Sequence, residues 1–89
     1  MYWAYFLYSK SRRNAYVGCT GNLKKRLKEH QNGLVESTKN RRPLVLIYSE
    51  EYNSLSLARR REKYLKSLYG CRERKRIVKE YLEKNKHMV

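Results

Sequence analysis

The sequence predicts an α+β domain of three strands and about three helices, and three observations carry that prediction. Residues 2–8, 15–19 and 44–48 are short apolar runs without a helical period, rich in aromatic and β-branched side chains. Three other segments repeat apolar residues at steps of three and four. The chain has 89 residues, room for one small domain and not two.

The elements follow in order. Residues 2–8 are unbroken in their apolar and aromatic character, which suits a central strand covered on both faces. The polar stretch 9–14 has the length and chemistry of a hairpin loop, so the first two strands pair antiparallel. Thr20, Gly21 and Asn22 offer cap residues, and Leu23, Leu27 and His30 then recur at i, i+4 and i+7, predicting a helix from about Leu23 to Gln31 that stops near Gly33. Residues 34–42 read as an exposed basic loop, and Pro43 opens the third strand over 44–48. Ser54 caps a second helix to about Ser67, with a stripe of Leu55, Ala58, Glu62, Leu65 and Tyr69. A third, basic amphipathic helix over 72–83 places Ile77, Val78, Tyr81 and Leu82 on one face. The domain is expected over residues 1–84, with 85–89 fraying.

Composition narrows the function. Lys and Arg number 22 against eight acids, a net charge of +14, and so large an excess on so small a body calls for a polyanionic partner. Nucleic acid leads, with an anionic membrane surface or ribosomal association behind it. All eight acids are Glu, which excludes a metal site built from several Asp ligands. Cys19 and Cys71 have no close-spaced Cys or His partner, so neither a zinc finger nor a disulfide framework is signalled. No apolar stretch approaches the length of a membrane span and no basic leader precedes the first strand, so a soluble cytoplasmic protein without a membrane partner is expected.

Several residues can carry chemistry, each with a plainer alternative. Glu62 sits on an otherwise apolar stripe, where a carboxylate needs a partner: an internal salt bridge to Arg or Lys, or a Mg²⁺ ion whose shell is completed by water and phosphate oxygens. Arg26 and His30, spaced i, i+4 beside Leu23 and Leu27, can face the sheet; Arg26 is a two-pronged phosphate clamp or part of a solvated basic face, and His30 a proton-transfer group or a satisfied structural residue. Tyr5 and Tyr16 pack on strands or, pressed towards phenolate by nearby cations, take part in proton transfer. Gly18 allows a backbone or a phosphate to approach closely. Lys39, Arg41 and Arg42 in the loop, Arg59 and Lys66 on the second helix, and Arg72, Arg74, Lys75 and Arg76 on the third form a phosphate-binding set, and the run 59–61 adds Arg60 and Arg61 to it.

Taken together these residues resemble the GIY-YIG nuclease superfamily, and more closely its small single-domain UvrC-like (YhbQ-like) members. Trp3-Ala4-Tyr5 stands where that family has Gly-Ile-Tyr, Tyr16-Val17-Gly18 is similar to its Tyr-Ile-Gly, the segment 22–30 resembles its following helix, and 58–66 its Glu-bearing helix. The resemblance covers nearly the whole chain. It implies a three-stranded antiparallel sheet flanked by helices, and a phosphodiester hydrolysis supported by a single divalent ion, Mg²⁺ or Mn²⁺. In that scheme Tyr16 is the general base or water-positioning residue, Tyr5 its assistant, Arg26 the phosphate clamp, Glu62 the metal ligand and His30 an aid to proton transfer. The expected activity is endonucleolytic cleavage of DNA, structured or branched DNA included, and it is the resemblance that puts DNA ahead of RNA as the partner. The alternative is a non-catalytic basic nucleic-acid-binding module on the same fold, because the Asn that many members carry about a dozen residues after the Glu is absent from residues 72–76.

Overall fold

The computed structural model describes residues 1–85. In chain order the elements are β1 (Tyr2–Ser9), β2 (Asn14–Thr20), α1 (Leu23–Gln31), β3 (Leu44–Tyr52), α2 (Leu55–Lys66) and α3 (Cys71–Lys84), with 3₁₀ turns at Lys39–Arg41 and Leu68–Gly70. The sheet has the order β2-β1-β3, both pairs antiparallel, so β1 is the central strand. Its unbroken apolar run is explained by that position: every residue from Ala4 to Ser9 is buried.

Strand alternation sends successive side chains to opposite faces and builds two clusters. Tyr5, Leu7 and Leu44 pack with Tyr16, Leu46 and the Leu23 and Leu27 stripe of α1 on one face. Phe6 and Val17 pack with Leu65 of α2 and Ile77 of α3 on the other. Full burial of a side chain such as Phe6 or Leu65 stabilises the fold by about 1.5–3 kcal/mol. A β-bulge refines this pattern: Phe6 lies opposite Tyr48 but Leu7 lies opposite Leu46, leaving Ile47 as the extra residue. Ile47 and Tyr48, although consecutive, therefore both join the α2/α3 cluster, while Leu46 joins the other.

Four sequence expectations change. β3 runs on to Tyr52 rather than ending at Tyr48, because the Glu50 carboxylate that its polar end carries is fully engaged, accepting from Tyr48 Oη at 2.5 Å, Tyr52 Oη at 2.6 Å and Arg61 Nε at 2.8 Å. Arg61 also pairs with Glu73 of α3, so it leaves the phosphate-binding run 59–61 and becomes an internal strut between β3, α2 and α3. Leu82 is exposed, whereas Ile77 is buried and Tyr81 stacks on Tyr8 with ring centroids 5.7 Å apart; the inner face of α3 follows 77 and 81 and turns Leu82 outward. Residues 34–42 are not wholly an exposed loop, since Val35 and Thr38 are buried.

The end of α2 also departs from its predicted stripe. The helix stops at Lys66, and Tyr69 is exposed instead of continuing the apolar face. Ser67 leaves the helical region at ψ 169°, and Arg74 donates to the carbonyls of Leu65 and of Ser67 (2.9 Å), satisfying acceptors that the helix end leaves free. α3 begins at Cys71, one residue earlier than predicted, and is closed by Asn85, whose Nδ2 donates to Tyr81 O at 2.8 Å. The fraying expected for residues 86–89 lies outside the described residues.

Candidate active site

The expected site residues lie on four elements, β1, β2, α1 and α2, that meet near β2, an edge of the sheet. Tyr5 comes from the central strand and Tyr16 from β2, both on the α1 face; their ring centroids are 6.5 Å apart. Gly18 lies opposite Tyr5 in the β1/β2 register, and a Cβ at position 18 would run into the Tyr5 hydroxyl. Its missing side chain thus admits a phenol rather than the backbone or phosphate expected from sequence.

α1 supplies the second layer. Asn22 caps it, its side chain accepting from Lys25 N at 3.1 Å, which starts the helix in the phase that turns His30 inward. His30 is 0% exposed, with ring centroids 5.8 Å from Tyr5 and 5.3 Å from Tyr16. Tyr5 Oη and His30 Nε2 are 2.9 Å apart, and His30 Nδ1 and Thr38 Oγ1 are 2.7 Å apart. A neutral imidazole donates through one nitrogen and accepts through the other, so this buried chain satisfies both. Thr38, also 0% exposed, had no signal in the sequence, because a polar loop residue has no periodicity to mark it as inward-facing.

Burial sets the protonation of the pair. It pushes the Tyr5 hydroxyl up to about 12, against the opposing pull of the Arg26 guanidinium, so Tyr5 is not driven towards phenolate by its cationic surroundings. Burial, helped by the positive charge of Arg26, pulls the His30 imidazole down to about 4. Both groups are therefore neutral across the physiological range. Arg26 itself is half-exposed and donates to Glu29 Oε1 at 3.1 Å, within a shallow depression of about 430 Å³ that also includes Cys19, Asn22 and Lys25.

α2 closes the third side. Lys66 Nζ lies 5.6 Å from the centre of the Tyr16 ring and 3.1 Å from Glu62 Oε2. The Glu62 charge is felt at both the Tyr5 hydroxyl and the Cys19 thiol, so its carboxylate faces this edge and not solvent alone. Burial raises the Cys19 thiol, with Glu62 adding to the rise while Arg59 and Lys66 oppose it. On the loop side the Arg41 guanidinium lies 5.8 Å from the Tyr16 ring centre, fixed by a 2.7 Å hydrogen bond from Nη2 to Asn14 Oδ1.

The expected phosphate-binding cations do not form one surface. Arg41, Arg59 and Lys66 share the edge with Tyr16 and Glu62. Lys39 and Arg42 line a separate depression with Gln31 and Pro43, and Lys39 pairs with Glu36 at 3.1 Å. Arg72, Lys75 and Arg76 lie on α3 around the turn that follows α2. Arg74, within the stretch 72–76 that lacks the Asn, donates to the carbonyls of Leu65 and Ser67 at the end of α2.

The GIY-YIG catalytic domain profile matches residues 1–77, which takes in every element of this edge. The chain belongs to the GIY-YIG family. It is 39% identical over 69 residues to a UPF0213 protein of Clostridium perfringens, covering 76% of this chain and 73% of that one. It is 36% identical over 76 residues to a UPF0213 protein of Syntrophus aciditrophicus, covering 83% and 86%, and 34% identical over 87 residues to the UPF0213 protein YazA of Bacillus subtilis, covering 96% and 86%. No solved structure matches the chain. GIY-YIG proteins are nucleases, generally dependent on a divalent metal, and a nuclease domain binds nucleic acid. No helix among the described residues is long and apolar enough to cross a membrane.

The donor set of this GIY-YIG domain fits one hard cation and no more. Among the described residues no three His, Cys, Asp or Glu side chains gather at one point, which removes an all-protein cage. Glu62 alone offers a carboxylate beside Tyr16; its side chain is 23% exposed and its recorded partner is the half-exposed Lys66. Such an i, i+4 pair is worth only about 0.3–0.5 kcal/mol and yields readily to a divalent ion. A single carboxylate completed by water and phosphate oxygens is a known manner of holding Mg²⁺.

Proposed function

We propose that this protein is an endonuclease that hydrolyses phosphodiester bonds in DNA, structured or branched DNA included, with one Mg²⁺ or Mn²⁺ ion held by Glu62. The reading is carried by one observation: Tyr5, Tyr16, Arg26, His30 and Glu62, spread over 58 positions of sequence, gather at one edge of the sheet, with Tyr5 and His30 buried beneath the part-exposed Tyr16, Arg26 and Glu62. The ion, when bound, supplies charge stabilisation to the phosphoryl oxygens.

This chain's own residues do the rest. Arg26 grips a phosphate oxygen from the rim, where its planar guanidinium keeps donors beyond the one used by Glu29. The Tyr16 hydroxyl orients the attacking water. Tyr5, protonated, buried and fixed by His30, assists by holding the floor on which Tyr16 sits; His30, locked between Tyr5 and Thr38, acts as a positioning residue. Arg41, Arg59 and Lys66 add positive potential where the substrate phosphate arrives.

The test incubates the protein with Mg²⁺ or Mn²⁺ and labelled duplex, fork, flap and RNA substrates. Glu62→Ala is expected to lower cleavage by about 10²-fold or more while low-salt binding persists. Equal absence of cleavage in wild type and variant overturns the enzymatic reading. The non-catalytic module then stands in its place, a reading favoured by the lack of an Asn in residues 72–76, where the Arg74 guanidinium is already engaged by backbone carbonyls.

A further inference from the structure

The turn between α2 and α3 displays what soluble domains normally cover. Leu68 is 90% exposed and Tyr69 85% exposed, and with Tyr64 they border an open depression of about 900 Å³ whose rim carries Arg72, Lys75 and Arg76. The display is rigidly built. A Cβ at position 70 would run into the Tyr64 carbonyl oxygen, so only glycine lets the turn close onto α2. Tyr64 Oη donates to Tyr69 O at 3.3 Å, Ser67 Oγ donates to Tyr64 O at 2.6 Å, and Arg74 ties the same turn from α3. The fold thus uses several hydrogen bonds to hold an aromatic ring and a leucine out in water.

The chemistry around them selects an occupant. Arg72 and Lys75 have no carboxylate partner among the described residues, Arg76 has only the exposed Glu80 at 3.3 Å, and Glu73 is taken up by Arg61. A second copy of so basic a patch is repelled. A duplex presents phosphates but no open base face. An unpaired nucleotide offers both, a phosphate for the cations and a flat ring for Tyr69.

We infer that the Leu68–Tyr69 turn is a stacking platform for an unpaired base of single-stranded DNA, with Arg72 and Lys75 holding the adjoining phosphates. The choice of nucleic acid over other polyanions rests on the nuclease reading. About 8 Å of helix axis separates Glu62 from Ser67, so one strand that leaves the Glu62 edge and rounds the end of α2 meets the platform within a few nucleotides. The preferred substrate is then a duplex with a single-stranded arm.

Fluorescence anisotropy without metal, using a labelled oligothymidylate and a blunt duplex, tests this. Tyr69→Ala is expected to weaken oligothymidylate binding by about 5- to 100-fold, Tyr69→Phe by less than about twofold, and neither to change duplex binding. Arg72→Ala is expected to reduce the salt dependence for the single strand by about 0.7 in log–log slope. Unchanged thermal unfolding of Tyr69→Ala separates lost contact from lost fold. Oligothymidylate binding indifferent to Tyr69 overturns the platform, as does Tyr69-dependent binding confined to phosphatidylserine vesicles, which assigns the patch to a membrane surface. A platform intact in binding while no substrate is cleaved fails the nuclease reading alone; cleavage with Tyr69-independent binding fails the platform alone.

Discussion

The two faces of the sheet each hold a polar network, and they solve burial in opposite ways. On the α1 face Tyr5, His30 and Thr38 form a neutral chain, because desolvation lifts the phenol to about 12 and lowers the imidazole to about 4. On the other face Glu50, Arg61 and Glu73 stay charged, with hydrogen bonds from Arg61, Tyr48 and Tyr52 outweighing burial and holding the Glu50 carboxyl down at about 2. A buried group whose counter-charge is outweighed by desolvation is held neutral, as Tyr5 is despite Arg26, whereas one offered several donors keeps its charge. The neutral chain lies beneath the candidate site and ties β1 to α1 and the loop that follows it; the ionic one ties β3 to α2 and α3.

Breaking the ionic network is expected to have the largest effect on stability. Arg61→Ala leaves Glu50 and Glu73 facing each other largely out of water and should cost about 3–4 kcal/mol, a drop in Tm of roughly 12–32 °C. A loss below about 1 kcal/mol in denaturant titration would show the network to be a solvated surface cluster.

Acid separates the two networks by pH window. His30 has a folded pKa below its unfolded value, so its contribution is complete above about 6.5 and is lost as pH falls towards 4, on the order of 3 kcal/mol in all. Glu50 is likewise depressed, and its contribution is present above about 4.5 and lost as pH falls towards 2. His30→Gln should erase the upper limb of the stability–pH curve and keep the lower one. A single limb below pH 4.5 in the wild type would contradict the neutral chain.

The smallest effect sharpens the comparison most. Tyr5→Phe removes one hydrogen bond and leaves a His30 nitrogen unpaired, for about 1–2 kcal/mol. Since neither Tyr5 nor His30 titrates between about pH 6 and 9, the variant should lower the rate of any cleavage without altering the shape of its pH profile. A changed shape would mark Tyr5 as a titrating base.

Much of the fold was legible. α1 appears at the predicted Leu23–Gln31, and β1 is central as its unbroken apolar run required. What was misread shares a cause. Tyr69 and Leu82 follow a periodic pattern in sequence and Arg61 a run of like charge, yet their environments depend on where α2 ends and how α3 crosses it. Within the site, Glu62 could be picked out because a carboxylate clashes with an apolar stripe and Arg26 because it borders the Leu23/Leu27 stripe, whereas Tyr5 and Tyr16, which strand packing alone explains, stand out only through the family resemblance. Thr38 could not be picked out, and Arg41 was legible only as one loop cation among several: both lie in an irregular segment with no period to place one against His30 and the other against the Tyr16 ring.

By itself the sequence determined the class of fold, the polyanionic partner implied by +14, and the residues worth watching, because hydropathy period and charge are local properties that survive without coordinates. Only the tertiary structure decided which of those residues meet, that Tyr5 and His30 are neutral, that Arg61 is a strut and that Tyr69 is displayed. Each of these depends on burial and on partners distant in the chain, which the packing of one element against another alone supplies.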